Sequence, residues 1–220
     1  MIYDINYCDK YMDELLDKMG GNYFPLPIKF GRFVTTTLDF IRENTNDFEK
    51  DQEGSDNIKT LLVRTENVIT PVTGTVGLYR MAEPINYMRL ISIYPYALVN
   101  NVKTKLARKP HIVKEGQRLA YERDPHRKPT PFEPNIYRLS SFFEISTNDE
   151  LNTYQTAQIT YVKKPTFGNI MSGINRIVNL PDLSIEMIML KTCESLRFTS
   201  ADDTAKDVYS FDQTFGKSNK

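Results

Sequence analysis

The sequence predicts an α+β protein: terminal α-helices packed together, with a central antiparallel β-sandwich or barrel between them. Three observations predict it. No proline lies between Pro27 and Pro71 or after Pro181, while most of the others crowd the middle of the chain. Both ends carry apolar residues at three- and four-residue spacing, the signature of helices that bury one face. Between Ile58 and Pro165 the texture changes to short β-branched and aromatic runs separated by turn residues, as in a sheet. The expected organisation is an N-terminal helical segment over 1–57, a β domain with a basic proline-rich loop over 58–167, and a C-terminal helical segment over 168–220 that packs with the first. A chain of 220 residues, 40% hydrophobic and 25% charged, with 13 Tyr and 12 Phe, has the composition of a folded, soluble protein.

In chain order, Cys8, Tyr11, Met12, Leu15, Leu16 and Met19 form one stripe, and Gly20-Gly21 supplies a left-handed residue to end it. A second stripe of Phe30, Phe33, Val34, Thr37, Leu38 and Ile41 predicts a helix from about Ile28 to Asn46 or a little beyond. Its exposed side and sequel hold Asp39, Glu43, Asp47, Glu49, Asp51, Glu53 and Asp56 against Arg42 and Lys50, an acidic block broken by Gly54-Ser55-Asp56. IKTLLVRTENVITPV reads as a strand or two, TGTVG as a turn, and NYMRLISIYPYALV, IYRLSSFFEIST and TAQITYVKKP as further strands, about five or six in all. NLPDLSIEMIMLKTCESLRF returns to helical period with Ile185, Ile188, Met189, Thr192 and Leu196 on one side and Pro181 suited to a first helical position. A last helix is expected from Ser200 or Ala201 to about Gln213. The acidic start, MIYDINYCDKYMDELLDKMGG, lacks the positive charge and apolar core of a secretory signal, so synthesis is expected in the cytoplasm. No run is long and apolar enough to span a bilayer, and no membrane partner is expected.

One segment is out of balance with a chain whose formal net charge is +0. From Lys103 to Lys128 it carries Lys103, Lys105, Arg108, Lys109, Lys114, Arg118, Arg123, Arg127 and Lys128 against Glu115, Glu122 and Asp124, an excess of about six positive charges. Pro110, Pro125, Pro129, Pro131 and Pro134 deny it one long helix, because each lacks an N–H and restricts the residue before it. The charge is therefore displayed on turns, strands and at most a short helical piece between Ile112 and Arg123. Three readings are open for it. It is an exposed, salt-bridged loop; or, with Tyr121, Phe132 and Tyr137 nearby, a nucleic-acid-binding surface on a β-barrel module; or a face that docks on the acidic region of a neighbouring copy.

Catalysis has little to stand on. No GxGxxG, P-loop, HExxH, GxSxG or EF-hand pattern occurs. The imidazoles of His111 and His126 sit among cations that would repel a metal ion. Cys8 and Cys193 form no CxxC and read as buried free thiols, while Glu144 and Glu194 read as solvated or salt-bridged carboxylates. No cofactor, metal or catalytic residue is expected.

Several elements in succession carry a resemblance: PINYMRLISIYPYALV, then KPHIVKEGQRLAYERDPHRKPTPFEPNIYRL, then AQITYVKKPT, and finally NLPDLSIEMIMLKTCESLRF. Their order resembles the ring, or head-to-tail connector (adaptor), proteins of crAss-like bacteriophages, over roughly residues 84–200. In that family a strand precedes a basic turn of the R-x-P-x-R-K-P kind, supplied here by Arg123, Asp124, Pro125, His126, Arg127, Lys128 and Pro129. A tyrosine strand ending in K-K-P is supplied by Tyr161, Val162, Lys163, Lys164 and Pro165. The resemblance implies a non-enzymatic structural protein of the virion neck or tail, assembled in the cytoplasm of the bacterial host. It implies a ring of about twelve copies, docked to the portal protein and to other ring or tail proteins, with double-stranded DNA passing through the lumen without sequence-specific recognition. The contacts are then expected from Arg108, Lys109, Arg118, Arg123, His126, Arg127 and Lys128, because a rigid turn rich in fixed donors can dock on carboxylates.

Overall fold

A computed structural model of the chain describes residues 2–46, 58–108, 110–167, 176–178, 180 and 182–197. The acidic run after Asn46, Lys109, Pro181 and the expected last helix lie outside them. The described chain is of the α+β class. It divides into two compact units: Met1–Leu61 with Pro165–Lys220, and Leu62–Lys164.

The first unit holds strand β1 (Ile2–Asp4), helix α1 (Ile5–Lys18), helix α2 (Leu26–Asn46), strand β11 (Arg176–Val178) and helix α4 (Asp182–Arg197). β1 and β11 form an antiparallel ribbon, Ile2 opposite Val178 and Asp4 opposite Arg176. Helix α1 starts where the Asp4 carboxylate accepts the Asn6 N–H at 2.8 Å, satisfying a donor that the first turn leaves free. It ends at Gly20, whose φ of +66° turns the chain so that the Gly21 N–H reaches the Leu16 carbonyl at 2.8 Å. Ile5, Cys8, Met12 and Leu16 of α1 are buried, as are Phe30, Phe33, Val34 and Ile41 of α2 and Ile185, Ile188, Met189 and Leu196 of α4. α4 packs against both α1 and α2. The hydroxyls of Thr37, Thr45 and Thr192 are buried without penalty because each donates to the carbonyl four residues back, at 2.7, 2.8 and 2.7 Å. Lys29 is fully buried, and its ammonium lies 2.6 Å from Asp9 and 2.5 Å from Asp13 across the α1–α2 boundary. Burial alone would push it down; the hydrogen bonds that the ammonium donates to the two carboxylates outweigh burial and hold it above the ordinary lysine value.

The second unit is built from β2 (Leu62–Val68), β3 (Thr70–Pro71), β4 (Leu78–Ala82), β5 (Tyr87–Val99), β6 (Val102–Lys105), β7 (His111–Val113), β8 (Asn135–Arg138), β9 (Phe142–Ser146) and β10 (Thr153–Lys163), with a short helix, α3 (Arg118–Arg123), between β7 and β8. A four-stranded sheet runs in the order β2-β10-β5-β6 and a five-stranded sheet in the order β3-β4-β9-β8-β7. Their inner faces share one core: Ile93, Ala97, Ala157, Ile159 and Tyr161 from the first sheet, Tyr79, Met81, Ile136, Phe143 and Ile145 from the second. Alternation along the middle of β10 explains the arrangement, since Ala157, Ile159 and Tyr161 enter the core while Gln158 and Thr160 face away; a register shift between Tyr154 and Thr156 brings Tyr154 into the same core. Pro95 is tolerated inside β5 because the β6 pairing ends at Tyr96, so no partner on that side needs its missing N–H.

The short helical piece expected between Ile112 and Arg123 is α3, while Ile112 itself lies in β7. Two details differ from the sequence expectation. The second unit holds nine strands among the described residues where five or six were expected. β7 also pairs with β8 in parallel, His111 opposite Asn135 and Val113 opposite Tyr137, so the second sheet is mixed rather than antiparallel. A parallel pair cannot be joined by a tight hairpin. The chain spends Lys114 to Pro134 on the connection, and this crossover is the heart of the basic segment.

The loop after β9 is tied to the start of β4. Gly77 has φ +66°, its carbonyl accepts the Thr147 N–H at 2.8 Å and the Thr147 hydroxyl at 3.1 Å, and a Cβ there would lie 2.7 Å from the backbone nitrogens of Asn148 and Asp149. The buried Asp149 carboxylate accepts from the backbone of Leu151 and Asn152 at 2.9 and 3.2 Å, from the Asn152 amide at 3.0 Å, and from the Tyr154 hydroxyl at 2.6 Å. Burial alone would raise its pKa, but these donors outweigh burial and hold it below the ordinary aspartate value; burial and the carboxylate push the Tyr154 hydroxyl well up.

Candidate functional site

The crossover is assembled from short pieces because its prolines allow nothing longer. After β7 a single turn, Glu115–Gln117, leads into α3. Asp124 stops the helix and caps the turn that follows, Pro125–Arg127: its carboxylate accepts the His126 N–H at 2.9 Å and pairs with the Arg127 guanidinium at 3.2 Å. Arg127 also lies over the Tyr121 ring, 5.0 Å from its centroid. Asn135, fully buried at the start of β8, donates its amide to the Arg127 carbonyl at 3.1 Å and so ties the turn to the sheet. Beyond it, Thr130 and Glu133 exchange backbone hydrogen bonds at 3.1 and 3.2 Å.

A second tie is ionic. Glu144 on β9 is only 3% exposed, yet it meets Arg118 at 2.7 Å and Arg80 at 3.5 Å. Arg118 lies over the Tyr137 ring at 4.8 Å, and Tyr137 pairs with Glu144 across β8 and β9. A carboxylate taken out of water must be paired, and the first residue of α3 supplies the partner.

The expected contact residues therefore separate. Arg118 is turned toward the sheet and braces the crossover from within. Arg108, exposed, has its backbone N–H on the Phe132 carbonyl at 2.7 Å and its guanidinium 5.3 Å from the Phe132 ring. Arg123, His126 and Lys128 are exposed, as is Lys114, and their side chains make no ion pair with another described residue. Arg127 is exposed too, with its orientation fixed by Asp124 and Tyr121. Lys109 lies outside the described residues. His111 approaches Glu133 at 3.7 Å on the rim. The arrangement is a knuckle, Arg123–Lys128, that displays four cationic or protonatable groups on a backbone held by two internal ties.

The residues that hold the knuckle, Glu144, Tyr137, Asn135 and Asp124, were not singled out as site residues from the sequence. Glu144 carried a signal, an acid inside the apolar run FFEIS, but its partner lies in another element. Elsewhere in the same unit an open groove of about 490 Å3, lined by Val68, Ile69, Pro71, Tyr79, Tyr154 and Thr156 among others, has mostly apolar walls. Among the described residues no cluster of His, Cys, Asp and Glu has the arrangement a metal ion needs, and no helix is long and apolar enough to cross a membrane. No protein-family model matches the chain, and no curated protein matches it significantly.

Proposed function

We propose that the protein is a structural subunit of a bacteriophage virion, one copy of a ring in the head-to-tail connector. The ring docks to the portal or to a neighbouring ring and tail proteins, around the channel through which the genome passes. The observation that carries this reading is the knuckle: Arg123, His126, Arg127 and Lys128 are displayed outward on a turn braced by Asp124, Asn135 and the Arg118–Glu144 pair. Bracing reduces the conformational freedom lost on docking, and fixed guanidinium donors suit carboxylates on a partner. The knuckle coincides with the Arg123–Pro129 element of the connector-like motif order. The same chain carries an acidic run from Asp39 to Asp56, the opposite sign that a repeated head-to-tail contact uses.

Electron microscopy of virion material tests the proposal directly. Rotationally averaged rings of about twelve copies, adjoining a portal and containing this chain, are the expected result. Charge reversal at the knuckle, Arg123→Glu with Arg127→Glu and Lys128→Glu, is expected to abolish incorporation into particles while leaving the far-UV circular dichroism spectrum unchanged. Virions that lack this chain, or assembly indifferent to the reversal, overturn the proposal.

A further inference from the structure

A different surface, remote from the knuckle in sequence, carries its own chemistry. In the four-stranded sheet β2-β10-β5-β6 the inner face is occupied by Ile93, Ala97, Ala157 and Ile159. Strand alternation sends the residues between them to the outer face. There Tyr94 stands opposite Gln158, Tyr96 opposite Thr156, and Ser92 opposite Thr160, on the two inner strands of the sheet. Both tyrosines are half-buried rather than sealed. Edge strand β6 lays its lysines across them: Lys105 Nζ is 3.5 Å from the Tyr94 ring centroid, and Lys103 Nζ is 4.5 Å from that of Tyr96. On the opposite edge β2 adds Arg64 to the same face, beside Thr160, and Glu66, which is paired with Lys103.

Each ingredient narrows the partner. Two tyrosines at i and i+2 of one strand are separated by roughly 6.6 Å, a step that neighbouring bases can match once they are unstacked. Thr156, Gln158 and Thr160 form a column of hydrogen-bonding side chains on the adjoining strand. Lys103, Lys105 and Arg64, against Glu66 alone, leave the surface cationic. A protein partner rich in carboxylates would use the lysines and have no need of ring faces. A duplex would offer phosphates but keep its bases stacked inside. The geometry points to this outer sheet face as a binding platform for single-stranded nucleic acid, with Tyr94 and Tyr96 stacking successive bases and Lys103 and Lys105 moving from the rings to the phosphates. Sequence-tolerant binding follows, because every base has a π-face and nothing on this surface reads base edges exclusively.

This inference does not rest on the ring reading, and its failure leaves that reading untouched. The test is fluorescence anisotropy of the full chain with fluorescein-labelled oligo-dT and with a duplex of the same length, over a salt series. Oligo-dT is expected to bind more tightly than the duplex. Tyr94→Ala and Tyr96→Ala are each expected to weaken it about tenfold or more, the range of one base–aromatic stack. Tyr94→Phe keeps the ring face and is expected to retain binding, so a loss in the alanine variants that Phe rescues is not a folding defect. Lys103→Gln and Lys105→Gln, both on exposed side chains, are each expected to lower the logarithmic salt slope by about 0.7. No binding by the wild type, equal affinity for the duplex, or a loss that follows Arg123→Gln and Arg127→Gln instead of the sheet-face variants overturns the assignment.

Discussion

Replacing Glu144 by Gln removes the negative charge from the carboxylate that ties the basic crossover to the mixed sheet and leaves its shape in place. The side chain is 4% exposed, whereas Arg118 and Arg80, its partners at 2.7 and 3.5 Å, are 33% and 49% exposed. Breaking a fully buried pair from one side costs about 3–5 kcal/mol. Both arginines can recover water here, and glutamine can still accept one hydrogen bond, so the expected loss is smaller, about 1.5–2.5 kcal/mol. For a unit of this size that corresponds to a melting temperature lower by about 6–15 °C. Urea unfolding followed by circular dichroism gives the global figure. Hydrogen exchange localises it, with amides from Lys114 to Pro134 gaining exchange more than those of α1 or α4. A double-mutant cycle with Arg118→Gln is expected to return a coupling of about 1 kcal/mol or more. A Glu144→Gln protein within about 0.5 kcal/mol of wild type, with unchanged exchange in the crossover, would refute the bracing argument.

Other expectations follow from the same physical reasoning. Gly77→Ala places a methyl 2.7 Å from two backbone nitrogens at a residue with φ +66°, so a loss of about 2–4 kcal/mol is expected by denaturant unfolding. Lys29→Met strands Asp9 and Asp13 beside each other at the α1–α2 boundary and is expected to cost about 2–4 kcal/mol at neutral pH. Because the folded Lys29 value is raised, its contribution is complete below the unfolded value of 10.5 and fades as pH rises through the higher folded one, so the gap to Lys29→Met should narrow on the alkaline side. Asp149 has the opposite sign: its folded value is depressed, so its contribution is present above the unfolded value of 3.8 and is lost as pH falls through the lower folded one, making Asp149→Asn and wild type converge in acid melts. Burial pushes the Cys8 and Cys193 thiols up to about 11, so both should resist a disulfide reagent in native buffer and react together once the protein is unfolded.

Much of this architecture was legible because it is written in local periodicity. The stripe Cys8-Met12-Leu16 and the alternation along Ala157–Tyr161 each define a buried face without reference to any other part of the chain. β7 was not legible. His111-Ile112-Val113 is three residues long, flanked by cations and a proline, and exists because β8 lies alongside it. The parallel pairing was equally silent, since turn residues signal hairpins and a crossover has no such mark. At the site, composition located the basic crossover but could not sort its members. Arg118 and Arg123 sit in the same six-residue helix with the same chemistry. What separates them is Glu144, a partner on another element, and pairwise information of that kind is absent from composition and period alike.

β2 opens the second unit and β10 closes it, and the two are neighbours in register, Leu62 opposite Val162. The polypeptide thus enters and leaves this half through adjacent, oppositely directed strands, like the two legs of a staple. Such an insert is a cassette: a different β module with equally close ends could replace it without altering the order in which α1, α2 and α4 are joined. A graft spanning Leu62 to Lys164 is therefore the unit that the two adjacent ends define.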